Sequence, residues 1–308
     1  MRTEQYGPKN GEEAMGDGMS RAMWERYEPV HDLVYFAPEA REAADGLGMR
    51  GFWMGYFALR AAPLGAVPAS VVTGSFYVFH PDRVARALPD AWAYAGPADA
   101  LAARQWAMDV AMTRLFGADV VGSPEMAEAA DLAWEAAAAA DTAGRVLAAA
   151  NQALDRPEPS HVRLWQALTT LREHRGDGHF AVLVGQGLGP VEAMVLKAAA
   201  REGDREILRD TRKWEASAWQ AAESALRARG WLGEDGALTP AGAAGRAAVE
   251  AQTDAVAERP WAALGADRTE RLAALLEPLA RTVWDSGVLP SGNPVGVRRP
   301  HRVDTGGH

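Results

Sequence analysis

The sequence predicts a mainly α-helical fold built from two tandem copies of one unit of roughly 140 residues. Three separated anchors pair at a constant offset of 141 residues: Trp24 with Trp165, the Gly-Leu-Gly triplet 46–48 with 187–189, and Arg60 with Arg201. Helix-forming residues dominate the chain, and β-branched residues are scarce outside residues 67–79. Because separated anchors are not expected to share one register by chance, we infer a duplicated helical unit.

The two copies are predicted over residues 19–155 and 160–285. Between them, the proline-containing run 156–160 interrupts the helical pattern and predicts a linker. Residues 1–18 form a polar, glycine-rich segment and predict a disordered tail. Residues 286–308 contain glycine, proline and few apolar anchors, so a flexible tail is expected there as well.

Composition limits the class of protein. The 308 residues are 48% hydrophobic and 24% charged, which is typical of a globular protein. No cysteine is present, so disulfides, thiolate nucleophiles and iron–sulfur clusters are excluded. No apolar run reaches the length of a membrane span, and we expect a soluble cytoplasmic protein with no membrane partner. The net charge of −9 opposes non-specific attraction to phosphate backbones.

Local patterns predict most elements of the second copy and one long helix before it. The alanine-rich stretch 124–153 predicts a single long helix. Residues 190–201, 204–212 and 214–229 predict three further helices. The following WLGEDGALTP, residues 231–240, predicts a tight hairpin with an acidic turn. Three helices followed by such a hairpin indicate a winged helix.

The segment LRARGWLGEDGALTPAG, residues 226–242, resembles the part of MarR-type regulators that connects the recognition helix to the wing. This resemblance covers residues 161–285. The whole chain, including RGFWMGYFALRAAPLG at residues 50–65, is similar to an actinobacterial family of helix-turn-helix proteins of unknown role. The implied fold is mainly α, with two tandem MarR-like winged-helix units forming an intrachain pseudo-dimer.

MarR-type regulators are two-fold dimers joined by their first and last helices, with small ligands often bound near that junction. The resemblance therefore implies that residues 20–45 and 100–150 pack against residues 161–185 and 241–285. Such an internal dimer predicts a monomer in solution, although higher oligomers stay open. Duplication also frees each copy to diverge, because a substitution no longer appears twice in the assembly.

DNA binding is expected to be weakened or lost. Base recognition needs exposed Arg, Lys, Asn or Gln side chains, whereas helix 214–229 has a partly acidic face that includes Glu215 and Glu223. The corresponding segment of the first copy, residues 80–92, is short and contains prolines. Basic residues within 205–213 leave DNA binding by one lobe as an alternative.

An aromatic wall is predicted in the first copy. Helix 20–36 places five side chains along one side at helical spacing: Trp24, Tyr27, Glu28, His31 and Tyr35. The next helix, which starts at Arg50, adds Trp53 and Tyr56. Aromatic walls with a few polar groups are typical of small-molecule sites. We expect a buried pocket between the copies, with His179 of the second copy turned toward it.

The histidine in this wall is the centre of the candidate chemistry. Unperturbed imidazole titrates near neutral pH, so His31 could act as an acid or base together with Tyr27 and Glu28. The candidate ligand-binding residues are Trp24, Tyr35, Arg50, Trp53, Tyr56 and His179. The alternative is that His31 is a core histidine held by a hydrogen bond.

Metal and cofactor chemistry is not expected. The run EHRGDGH at residues 173–179 contains His, Asp and His, but its glycines predict a turn and neighbouring Arg172 and Arg175 would repel a cation. Phosphate-binding loops, GxSxG elbows, HExxH helices and GxGxxG motifs are all missing from the sequence. We therefore predict neither a metal nor a cofactor.

Three functions are consistent with these patterns. The favoured one is a protein that binds a small hydrophobic or aromatic metabolite on a duplicated MarR-like scaffold. The first alternative is a ligand-responsive DNA-binding transcriptional regulator. The second is a cofactor-independent enzyme that uses His31 for acid–base chemistry on an apolar metabolite, so the sequence leaves enzymatic activity open.

Overall fold

The computed structural model describes residues 18–290 and Val295, and within this part the backbone forms helices and one isolated β-bridge. Most of the two predicted tails, residues 1–17, 291–294 and 296–308, lies outside the described residues. Leu289 is buried in the central core, so the segment just after the last helix is packed. The mainly helical fold class predicted from sequence is confirmed.

The first half of the chain, residues 19–152, contains eleven described α-helices. Pro97, Pro124 and other prolines stand in the first turn of their helices, where the missing amide hydrogen costs no hydrogen bond. The helices are α1 (Met19–His31), α2 (Leu33–Phe36), α3 (Pro38–Gly46), α4 (Gly51–Ala61), α5 (Ala69–Phe76), α6 (Pro81–Ala85), α7 (Ala91–Tyr94), α8 (Pro97–Phe116), α9 (Ala118–Val121), α10 (Pro124–Ala139) and α11 (Val146–Gln152).

The second half, residues 160–285, contains α12 (Ser160–Gly185), α13 (Pro190–Ala199), α14 (Arg205–Thr211), α15 (Ala216–Ala228), α16 (Pro240–Val256), α17 (Arg259–Leu264) and α18 (Ala266–Asp285). The predicted hairpin follows α15 and consists of the single bridge between Leu232 and Leu238. Its turn closes through the amide of Gly233, which donates to the carbonyl of Ala237 at 2.9 Å. Helices α13 to α15 and this hairpin have the predicted order.

Apolar side chains form a central core and two lateral clusters in the described part of the chain. The central core joins the halves, because α1 and α10 of the first half pack on α12 and α18 of the second. One lateral cluster fills the first lobe, defined as α4 to α7, and the other fills the second lobe, defined as α13 to α15 with the hairpin. Each lobe thus has its own core beside the shared one.

Among the described residues, no single helix is both long and apolar enough to cross a membrane. Two bent pairs reach the required length and composition only in combination: residues 51–64 with α5, and α12 with α13.

The turn predicted at residues 173–179 is wrong, because α12 runs without interruption from Ser160 to Gly185. Gly178 of this run allows close packing. A Cβ atom on Gly178 would lie 3.0 Å from Cγ2 of Val256 and 3.6 Å from Nε of Arg145. The helix therefore accepts the conformational cost of glycine and gains a close approach to its neighbours.

The long alanine helix predicted over residues 124–153 is also wrong, because α10 ends at Ala139 and α11 begins at Val146. Tertiary contacts stabilise this break. Nε2 of Gln152 lies 2.8 Å from the carbonyl of Ala137 and 2.9 Å from that of Ala140, so it satisfies carbonyls at the end of α10. Gly144 supplies a positive φ of 74° in the connection.

Candidate functional site

A cavity of about 650 Å³ lies between the two halves, bounded by α1 and α4 on one side and by α12, α13 and α16 on the other. Residues of the first half contribute most of its rings: Trp24, Tyr35, Phe36, Phe52, Trp53, Tyr56, Phe76 and Phe79. A space of this volume is within the range of small-molecule sites. The cavity is therefore the candidate functional site.

The rings of the first lobe hold one another in place. Trp53 and Tyr56 are three residues apart on α4 and share one face, with ring centroids 5.6 Å apart. Phe79, after α5, lies 5.6 Å from Tyr56 and 5.7 Å from Trp53. Edge-to-face and tilted pairs at these separations are favourable and keep the wall ordered.

The opposite wall has fewer rings, which come from His179 and Phe180 of α12. Met194 and Leu196 on α13 and Leu208 on α14 face the cavity. Gly176 of α12 also lines it, and the missing side chain leaves space at this point. The shape of the cavity therefore depends on a difference in side-chain size between the two lobes.

A buried ion-pair network crosses the wall of the cavity. Nε and Nη2 of Arg60 donate to the two carboxylate oxygens of Glu173, each at 2.9 Å. Arg172 donates to Glu173 at 2.8 Å and to Glu28 at 3.3 Å. Burial alone would raise the pKa of Glu173, but Arg60 and Arg172 outweigh it and hold that pKa well below its ordinary value. The bidentate contact joins α4 of the first half to α12 of the second.

His179 presents a hydrogen-bond acceptor to the cavity. Its Nδ1 lies 2.9 Å from the hydroxyl of Thr253, and that hydroxyl already donates its proton to the carbonyl of Val249 at 2.8 Å. The hydroxyl must therefore accept from Nδ1–H, which leaves Nε2 unprotonated. Burial lowers the pKa of His179 to about 4, so the ring is neutral at pH 7. A neutral acceptor can bind an N–H or O–H group.

His31 has a similar Nδ1 contact but a different neighbour at Nε2. Nδ1 lies 3.1 Å from the hydroxyl of Thr169, which donates to the carbonyl of Trp165 at 2.9 Å. Nε2 lies 3.1 Å from the hydroxyl of Tyr35 and accepts its proton. Burial and then Arg172 lower the pKa of His31 well below its ordinary value. Both nitrogens of this neutral ring are engaged, so proton abstraction would require Tyr35 to move.

The predicted site residues divide into three groups. The large cavity is lined by Trp24, Glu28, Tyr35, Trp53, Tyr56 and His179. His31, together with Tyr35 and Tyr56, lines a second cavity of about 320 Å³. The remaining two, Tyr27 and Arg50, line neither cavity.

Tyr27 and Arg50 have contacts away from both cavities. The ring of Tyr27 is buried and stacks on Trp261 with centroids 6.2 Å apart, so its helical spacing placed it in the core. The exposed Arg50 precedes α4, and its guanidinium lies 5.3 Å from the ring of Tyr94.

A comparison with protein-family models matches residues 20–290 to a helix-turn-helix family. The chain belongs to this helix-turn-helix family. No curated protein and no solved structure matches it. The match confirms the helix-turn-helix part of the resemblance seen in the sequence and extends over both halves of the chain.

In this helix-turn-helix protein, α14 and α15 stand before the hairpin where a helix-turn-helix pair is expected. The exposed residues of α15 are small or uncharged: Ala216, Ser217, Gln220, Ala221, Ser224, Ala225 and Ala228. Two arginines beside this face contact the same carboxylate, since Arg205 lies 3.0 Å and Arg227 3.9 Å from Glu223. These two cations are therefore partly neutralised within the protein.

Several cavity residues of the helix-turn-helix protein had no assigned role in the predicted pocket. Arg212, at the end of α14, lines the cavity, although its sequence position suggested a contact with DNA phosphates. Lys197 also lines it, and burial lowers the pKa of this amine to about 8. Arg60 stands four residues after Tyr56 on α4, so helical spacing could have placed it on the same face. No local pattern indicated its pairing with Glu173.

The described residues of the helix-turn-helix protein contain no group of three or more His, Asp or Glu side chains placed to hold a metal ion. The run 173–179 lies along α12, where successive residues point in different directions. His174 contacts Asp141 at 3.1 Å, whereas His179 faces the cavity.

Proposed function

We propose that the protein binds a small hydrophobic or aromatic metabolite in the large cavity. The observation that carries this proposal is the cavity itself, which combines a wall of aromatic rings with a few polar groups such as the Nε2 acceptor of His179. Its volume of about 650 Å³ is enough for a ligand of several rings. The apolar surface would bind the body of such a molecule, and the few polar groups would orient it.

We infer that the scaffold is a duplicated MarR-like winged-helix unit that forms an intrachain pseudo-dimer. In support, each half has a lobe of short helices followed by longer ones: α8 and α10 after the first lobe, and α16 and α18 after the second. The packing of α1 and α10 on α12 and α18 agrees with the predicted junction. A ligand at this junction would contact both copies, so divergence of one copy can shape the site.

DNA binding is proposed to be weakened. Base-specific contacts require side chains that reach base edges, and Gln220 is the longest uncharged polar side chain on the exposed face of α15. Phosphate contacts require cations, and Arg205 and Arg227 are engaged with Glu223. A gel-shift titration against genomic fragments tests this proposal. Salt-sensitive binding at low micromolar protein would contradict it.

The second candidate is a ligand-responsive regulator, and one contact favours it. Leu208 within α14 and Arg212 at its end both line the cavity, so a bound ligand would touch the first helix of the expected helix-turn-helix pair. A ligand that binds two arrangements of α14 with different affinity would shift their populations. This candidate predicts specific DNA binding that changes when the cavity is filled.

A fluorescence titration tests the binding proposal. The probe is phenylnaphthylamine, an uncharged naphthylamine that carries a phenyl group on its nitrogen. We expect saturable one-to-one binding to the full chain. Ala193→Trp places a large ring at a cavity-lining position and should weaken binding by about tenfold or more. The matched control, Ala216→Trp, lies on the exposed face of α15 and should bind as the unmodified chain does. Equal affinities in both variants would reject the proposal.

A further inference from the structure

Most cationic groups on the wall of the large cavity have a carboxylate partner. Five of its arginines lie within 4.0 Å of a Glu or Asp side chain: Arg21, Arg60, Arg172, Arg175 and Arg246. Arg60 and Arg172 share Glu173, and Arg246 contacts Glu202 and Glu250. These pairs neutralise one another inside the protein and leave little charge for a ligand.

Arg212 differs from these five arginines. Within the described part of the chain, no carboxylate lies within ion-pair distance of its guanidinium. Its Nη1 contacts the hydroxyl of Thr211 at 2.6 Å, and its Cζ lies 5.4 Å from the ring centre of Phe79. Its Nε is buried and has no hydrogen-bond partner among the described residues. Arg212 is half-buried, and a cation removed from part of its water without a counter-ion is costly, so the cavity wall contains a positive group that no described carboxylate neutralises.

We propose that the ligand is an amphipathic organic anion whose acidic group contacts Arg212 and whose apolar body lies on the rings of Trp53, Tyr56 and Phe79. This inference rests on the proposed function, because it specifies the class of ligand for the same cavity. A guanidinium binds a carboxylate or sulfonate through two parallel hydrogen bonds, and Nε is one of the donors that such a contact uses. The position of Arg212 over Phe79 places charge and aromatic surface side by side.

The electrostatics of Lys197 support this assignment. Burial and then the positive charge of Arg212 lower the pKa of Lys197 to about 8, so the two cationic groups influence each other across the cavity wall. An anion bound near both would reduce their mutual repulsion. A neutral ligand of the same shape would leave that repulsion unchanged. The cavity should therefore distinguish a charged ligand from its uncharged counterpart.

A pair of fluorescent probes separates charge from shape. Anilinonaphthalene sulfonate has the same rings as phenylnaphthylamine and adds one sulfonate group. We expect the full chain to bind the sulfonate at least about tenfold more tightly than the uncharged parent, as expected for a hydrogen bond between charged groups. Arg212→Gln should abolish this preference, so that the two probes bind this variant with about equal affinity. Arg212→Lys retains the charge and should retain part of the preference.

The matched control is Arg209→Gln on the same helix, because Arg209 does not line the cavity and pairs with Asp210 at 2.7 Å. This variant should keep the full preference. Equal binding of the two probes by the unmodified chain would overturn the anion assignment and leave the proposed function intact. A second result would also overturn it: Arg212→Gln binds neither probe, and Arg212→Lys binds the charged and the uncharged probe with equal affinity. If neither probe binds saturably, the proposed function itself fails.

Discussion

The two lobes use side chains of different size at the cavity between the halves. The first lobe contributes the rings of Trp53, Tyr56 and Phe79, whereas the second contributes Met194 and Leu208. Only the second lobe, within the described residues, has a hairpin after its last helix. The first lobe instead breaks the corresponding stretch into the short helices α6 and α7.

This difference indicates a division of roles between the lobes. Bulky rings on one side and smaller side chains on the other set the size of the cavity. Two identical lobes, with either type of wall, would give a cavity of a different size and shape. The second lobe retains the elements of a helix-turn-helix, although α15 exposes few groups that can contact DNA. The first lobe therefore supplies the bulky wall of the cavity, and the second lobe supplies the helix pair that precedes the hairpin.

The largest effect that tests this comparison concerns Arg60 and Arg201, which lie 141 residues apart and which the proposed duplication would pair. Arg60 is buried and bound to Glu173 at both carboxylate oxygens, whereas Arg201 is exposed. We expect Arg60→Met to lower the free energy of unfolding by about 3–5 kcal/mol, because a buried carboxylate loses its bidentate partner. Arg201→Met should change it by about 0.5 kcal/mol or less. Urea denaturation measures both, and equal effects would contradict the asymmetry.

The next effect is the decrease in the free energy of unfolding at acid pH that is due to His179. Its pKa in the folded chain, about 4, lies below the value of about 6.5 in an unfolded chain. The unfolded state therefore binds a proton first as pH falls, and stability decreases between about pH 6.5 and about pH 4. Over this pH range, protonation of His179 lowers the free energy of unfolding by about 3 kcal/mol.

Substitution of this histidine should flatten that dependence. In His179→Gln, urea denaturation at a series of pH values should give a smaller loss of unfolding free energy over the same window. His31, whose pKa is also lowered by burial, remains in the variant, so part of the slope should persist. An unchanged slope would mean that His179 titrates alike in both states.

The smallest effect distinguishes two faces of α12. A Cβ atom on Gly178 would lie 3.0 Å from Val256, so Gly178→Ala should destabilise the chain by about 1 kcal/mol despite its better helix propensity. The nearest atom to a Cβ on Gly176 is Nη1 of Arg172 at 3.6 Å, an ordinary contact. Gly176→Ala should therefore stabilise the chain by about 0.5–1 kcal/mol. Thermal unfolding of the two variants checks the opposite signs.

Part of the candidate site followed from helical spacing alone. Trp24, Glu28 and Tyr35 share a face because their positions follow the helical period, and Trp53 and Tyr56 do so on α4. The same reasoning also selected Tyr27, which lies on the core side of α1 beside Trp261. Periodicity assigns residues to a broad face of a helix, and it does not say which edge of that face meets a neighbour or a cavity.

The charged part of the site could not be predicted in this way. Arg60 and Glu173 are separated by 113 residues and belong to different halves, so their contact depends on how α4 meets α12. Arg212 belongs to the basic stretch 205–213 that the sequence connected with DNA binding, yet it lines the cavity at the end of α14. Long-range contacts of this kind leave no local periodic signal.

The sequence by itself determined the helical class, the helix-turn-helix character and the order of helices before the hairpin, because helix propensity, proline positions and turn residues act over a few neighbouring residues. Tertiary structure decided where helices stop and which charges become buried. The alanine stretch breaks at residues 140–145 and the glycine-containing α12 does not, since contacts from Gln152 and the packing of Gly178 outweigh local preference. Packing between distant segments sets these outcomes, and it also creates the cavity between the halves.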